Sequence, residues 1–174
     1  MAMSAKERKQ NQLERERTQL KELDDSTLPF LRQPFFERVE EDPNWSGVTL
    51  ALELCGFEPP SFEDDRGPQH FANEVALPPD EDPSETFPGF KGSIGRAEAM
   101  IDLLLEAASE LANLVNRYKR DELAARRKEI EESDLSDPEE RRTAIDNITQ
   151  ITRIEAELSK NVRQTLPIWK IKGL

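Results

Sequence analysis

Residues 93–118 read SIGRAEAMIDLLLEAASELANLVNRY, and their apolar positions decide the fold. Ile94, Ala97, Ile101, Leu104, Ala108, Leu111, Val115 and Tyr118 recur at alternating spacings of three and four, the a and d positions of a heptad. Ser93 suits the N-cap, and neither proline nor glycine occurs between Arg96 and Asp137, so the spacing predicts one helix to about Glu131. Such a helix is roughly 57 Å long at its ordinary rise per residue.

A second start follows at Ser136-Asp137-Pro138-Glu139-Glu140. Asp137 is placed to accept orphan backbone N–H groups, Pro138 is preset for the first helical position, and Glu140 sits where a capping box needs it. The helix beyond carries Ala144, Ile148, Ile151, Ile154, Leu158 and Val162 on one face and must end before Pro167. Folding the two helices back on each other pairs Leu111 with Leu158, Val115 with Ile154, Tyr118 with Ile151 and Ala125 with Ala144. Apolar meets apolar at each step, which favours a hairpin within one chain over a parallel dimeric coiled coil. The expected fold class is all-α, a long antiparallel helical hairpin preceded by short helices and a long irregular acidic segment.

Two expectations follow from the hairpin. Its first helix is the longer, so residues 94–103 lack a partner within it. Met100, Ile101 and Leu103 then need cover from the tail Pro167-Ile168-Trp169-Lys170-Ile171, from Phe87-Pro88-Gly89-Phe90, or from another molecule. Near the turn, Lys119-Arg120-Asp121-Glu122 and Arg126-Arg127-Lys128-Glu129 leave only Leu123, two alanines and Ile130 for packing, which predicts a solvated, mobile tip.

Composition sets the bounds around this hairpin. The chain has 174 residues, 36% hydrophobic and 34% charged, with a formal net charge of −12. Globular domains average roughly 45–50% apolar and roughly 25% charged, so only part of this chain is expected to form a packed core. No apolar run approaches the roughly 18 residues of a membrane span, so no membrane role is expected. Cys55 has no partner for a disulfide, which fits a reducing compartment, and the opening residues hold no signal-like apolar stretch; the expected location is cytoplasmic.

The charge is local. Residues 1–36, 37–88 and 89–174 carry net charges of +1, −12 and −1. The middle also holds most of the prolines and aromatics, with ten of 12 prolines between Pro29 and Pro88 and nine of 11 aromatics between Phe30 and Phe90. Three segments are therefore expected: a charged helical arm over 1–28, an acidic aromatic segment over 29–92, and the hairpin with its tail over 93–174. The arm has Leu13 and Leu20 at heptad spacing and a weak basic bias interrupted by acids, so direct nucleic-acid binding is not expected.

In the middle, short helices are predicted over about 34–41 and about 47–54, the second closed by Gly56. Beyond them, proline punctuates a chain in which aromatics alternate with carboxylates. Phe57, Phe62, Phe71 and Phe87 beside Glu63, Asp64, Asp65, Asp80, Glu81 and Asp82, with Trp169 in the tail, are the candidate partner-binding residues. Spaced aromatics in an extended acidic chain are anchors for pockets, either on the chain's own hairpin or on a partner protein.

The catalytic inventory is short. Cys55 and His70 form the one formal Cys–His combination, but the spacing and surroundings suggest a small buried residue and an exposed loop residue. Phe90-Lys91-Gly92-Ser93-Ile94-Gly95 lacks the spacing of a phosphate-binding loop. Asp64, Asp65, Asp80 and Asp82 lack a calcium-loop pattern, and no metal or cofactor is expected.

The opening Ser4-Ala5-Lys6-Glu7-Arg8-Lys9-Gln10, a charged helical start on a small acidic protein, resembles that of small phage or prophage accessory proteins. The resemblance implies a bacterial cytoplasmic setting and action by binding a protein of host or phage. The functional expectation is a non-enzymatic interaction, adaptor or inhibitor protein presenting its acidic aromatic segment to a protein partner. Its alternatives are a scaffolding subunit of a larger assembly, with homo-oligomers open, and an acidic mimic of nucleic acid that blocks a DNA- or RNA-binding protein.

Overall fold

The computed structural model describes residues 5–73, 76, 86–162 and 165–173. Among the described residues the helices with defined bounds are α1 (Ala5–Glu22), α2 (Phe36–Val39), α3 (Trp45–Leu54), α4 (Gly92–Glu132) and α5 (Pro138–Leu158), with 3₁₀ turns at Leu28–Phe30 and Pro68–His70. Among the described residues the β pairing is one isolated bridge between Asp25 and Lys172. The fold is all-α and closes on the C-terminal hairpin. At 41 residues, α4 is about 62 Å long.

Two compact units divide the chain. One comprises Met1–Leu103 with Ile168–Leu174, the other Leu104–Pro167. The boundary falls inside α4, and the tail belongs to the N-terminal unit.

In the hairpin unit, α5 begins as its sequence dictates. The Asp137 carboxylate accepts from the N–H groups of Glu139 at 2.8 Å and Glu140 at 3.1 Å, with Pro138 at the first helical position. Its inner face carries Ala144, Ile148, Ile151 and Leu158, while Ile154 and Val162 are exposed. The α4 face differs from the expected one. Leu111, Val115 and Tyr118 are exposed, so the pairings of Leu111 with Leu158, Val115 with Ile154 and Tyr118 with Ile151 do not form. The contacts use Asn116, whose side-chain amide donates to the Leu158 carbonyl at 2.8 Å, and Arg127, which meets Glu155 at 2.9 Å. Leu123 and Ile130 lie on the same face, and Ile130 packs with Ala144 and Ile151 in a cluster flanked by Leu123, Leu135 and Ile148.

Helical geometry explains the difference. A straight α-helix turns about 100° per residue, which sets Leu111 and Tyr118 about 100–120° around the axis from Ile130. Asn116, Leu123, Arg127 and Ile130 occupy b and f positions of the heptad whose a and d positions are Leu111, Val115 and Tyr118. The apolar stripe of 104–118 and the hairpin face are therefore different faces of one helix. The region near the turn, expected to be solvated, instead holds the buried cluster of this unit.

The N-terminal unit packs short elements and the tail around the first turns of α4. Among the described residues Val39, Phe62, Pro68 and Ala99 are buried apolar residues of this unit, joined by buried Asp25, Ser93 and Glu98.

Candidate interaction surface

Within the N-terminal unit the acidic aromatic segment is tied to its own chain. Phe62, only 4% exposed, meets Phe35 edge-on at a centroid distance of 5.4 Å and Trp45 at 5.9 Å. The Arg96 guanidinium, one turn into α4, stands 4.8 Å from the Phe62 ring and 3.5 Å from the Phe71 ring, and donates to the Ser61 carbonyl at 2.8 Å. Arg66 covers Phe71 from 5.0 Å and binds Asp64 at 2.8 Å. The backbone N–H and guanidinium of Arg66 hold the Asp64 carboxyl below the ordinary carboxylate range.

Asp65 does the capping that the sequence assigns to Ser93. Its Oδ1 accepts from the Ser93 N–H at 2.9 Å and the Ser93 hydroxyl at 2.7 Å, across 28 residues of chain. The Ser93 hydroxyl oxygen in turn accepts from the Phe36 N–H at 3.1 Å. Gly92 has φ +64°, and a Cβ there would stand 2.8 Å from the Asp65 carboxylate, so glycine is required on both conformational and steric grounds.

A second tie joins the chain ends. Asp25 accepts from the Thr27 N–H at 2.7 Å, the Thr27 hydroxyl at 2.5 Å and the Ile171 N–H at 2.6 Å, while the Ser26 N–H donates to the Ile171 carbonyl at 2.7 Å. Burial alone would raise the Asp25 pKa; the Thr27 and Ile171 hydrogen bonds outweigh it and lower it. Lys170 pairs with Asp102, and Lys170 and Lys172 stand 5.0 and 5.2 Å from the Phe90 ring. Glu98 is buried beside this group. Desolvation first, then the charges of Asp25 and Asp102, raise its pKa to about 7 against the partial offset of Lys170 and Lys172. The tail thus accompanies the first turns of α4, where Met100 and Ile101 are partly covered; Leu103 remains 53% exposed.

The remaining candidates scatter. Phe57 is 61% exposed beyond the end of α3, Glu63 is exposed, and Phe87 and Trp169 are half-buried. Asp80, Glu81 and Asp82 lie outside the described residues. Cys55 is exposed at the C-terminal cap of α3, not the buried small residue expected, and His70 is exposed in the second 3₁₀ turn. Among the described residues no three His, Cys, Asp or Glu side chains form a metal-holding group, and no helix is long and apolar enough to cross a membrane.

What the structure gathers in their place is on α4 within the hairpin unit. Leu104, Leu111, Leu114, Val115 and Tyr118 are 43–65% exposed. On the helix they occupy an arc of about 100° together with Ala107, over a length of about 21 Å. Because α5 ends at Leu158 opposite Asn116, it supplies nothing alongside residues 104–115. The stripe follows the heptad row of the sequence and faces solvent rather than the hairpin interior. No family model, curated protein or solved structure matches the chain.

Proposed function

We propose that this chain is a non-enzymatic interaction protein that binds a protein partner through the exposed α4 face of its hairpin unit. The observation that carries the reading is the continuous row of Leu104, Leu111, Leu114, Val115 and Tyr118 on one exposed face. Water-facing leucines at helical spacing are the anchors of a helix-to-helix or helix-to-groove contact. The reading moves the contact from the acidic segment to α4, since Phe62 is enclosed and Asp64 and Asp65 serve Arg66 and Ser93.

The test uses the full chain and its Leu111→Glu/Val115→Glu variant as parallel baits. Both positions face solvent, so circular dichroism is expected to match. A specific partner should be retained by the parent and lost by the variant. Equal retention by both would refute the α4 face as the binding surface.

A further inference from the structure

We infer that the occupant of this α4 face is a second copy of the same chain, laid antiparallel. The inference rests on the interaction reading above and names its partner. Charge along α4 within the hairpin unit is segregated: Glu106 and Glu110 precede the middle of the stripe with no basic residue beside them, and Arg117, Lys119 and Arg120 follow it with no acid between Leu111 and Arg120. An antiparallel copy sets the acidic half of one helix against the basic half of the other; a parallel copy sets like against like.

The apolar register agrees. Antiparallel packing centred on the exposed arc places Ala107 opposite Tyr118 and Leu111 opposite Leu114, with each contact made twice by symmetry. A small residue then faces the largest one and two medium residues face each other, so the layers have similar volume. The same register brings Glu110, on the flank of the stripe, to Arg117 of the second copy. Both side chains are exposed on α4 and neither has an ion pair in the hairpin unit among the described residues.

Mass measurement by light scattering or sedimentation on the full chain, with concentration varied, tests association. The parent is expected to shift from monomer to dimer, and Leu111→Glu to move the midpoint at least tenfold higher in concentration. Orientation is read from Glu110→Lys and Arg117→Glu, both with unchanged circular dichroism. In the antiparallel pair each variant alone sets like charges together and should dimerise less well than the parent. Mixing the two restores attraction at both contacts and should restore dimer to the parental midpoint. Two single variants that dimerise as the parent does would overturn the antiparallel arrangement. A parent that stays monomeric at every concentration would overturn self-association altogether. If that monomer still captures another protein through Leu111 and Val115, the interaction reading stands and only the identity of the occupant fails.

Discussion

Glu98 gives the N-terminal unit a defined response to pH. The side chain is 4% exposed on the first turns of α4, faced by Asp25, Asp102, Lys170 and Lys172. Burial, then the Asp25 charge, raises its pKa from 4.5 to about 7. Between those values the native state holds a proton that the unfolded chain has released, so stability falls as pH rises through this window and is level above it. At 1.36 kcal/mol per pH unit, the 2.5-unit interval corresponds to a loss of about 3 kcal/mol. Asp25 acts in the opposite sense and elsewhere: its lowered pKa contributes stability that is lost only as pH falls below about 3.8. Glu98→Gln keeps the shape and removes the titration. The variant should match the parent near pH 4.5 and exceed it by about 3 kcal/mol near pH 8. Urea unfolding followed by tryptophan fluorescence is the suitable assay, because Trp45 and Trp169 both belong to the N-terminal unit. A parent whose stability stays flat or rises between about pH 5 and pH 7, or a glutamine variant no more stable than the parent near pH 8, would refute the reasoning.

Three further predictions concern the same unit. A Cβ at Gly95 would stand 2.7 Å from the Phe90 carbonyl carbon, so Gly95→Ala should cost about 2 kcal/mol; Gly47, with no atom within 4 Å, should gain about 0.5 kcal/mol as alanine, and thermal melts of the two variants should move in opposite directions. Asp25→Ala removes three hydrogen bonds and should cost about 2–4 kcal/mol, with faster amide exchange at Ile171 as its local signature. Phe62→Ala should cost about 3–4 kcal/mol by emptying the space among Phe35, Trp45 and Arg96, whereas Arg96→Met, which keeps an unbranched apolar stem, should cost about 1–2 kcal/mol; Trp45 fluorescence reports both unfolding transitions.

Legibility followed sequence separation. The α5 start was readable because Asp137, Pro138 and Glu140 act within one turn, and its inner face because Ala144, Ile148 and Ile151 recur at helical spacing. The extent of α4 was readable from the absence of breakers. Its working face was not, since the heptad follows the more continuous apolar row, whereas the face that meets α5 carries only Leu123 and Ile130 as large apolar residues beside Asn116 and Arg127. The N-terminal unit was the least readable. Asp65 serves Ser93 across 28 positions and Asp25 serves Ile171 across 146, and such contacts leave no periodic trace. Phe62 and Phe57 have similar neighbours in sequence, yet one is enclosed and the other exposed; the difference is the arrival of Arg96, Phe35 and Trp45 around Phe62.

The distribution of charge bears on why a leucine-rich face is tolerated in water at all. Residues 104–167 hold 11 basic and 14 acidic side chains, a net of −3 out of −12, so most of the repulsion between copies originates outside the hairpin unit. Repulsion among exposed charges is screened over about 8–10 Å at physiological salt, whereas contact between apolar side chains is not weakened by screening. At low salt the chain-wide negative charge therefore opposes encounter of two copies, and only an arrangement that sets Glu110 against Arg117 recovers attraction at short range. At high salt both electrostatic contributions fade and the leucines act alone, in either orientation. The antiparallel preference of α4 should accordingly be sharpest at low ionic strength. Restoration by mixing Glu110→Lys with Arg117→Glu should then diminish as salt rises, while the penalty of Leu111→Glu persists. A mixing effect that stayed constant with salt would show that the two side chains act by something other than their charge.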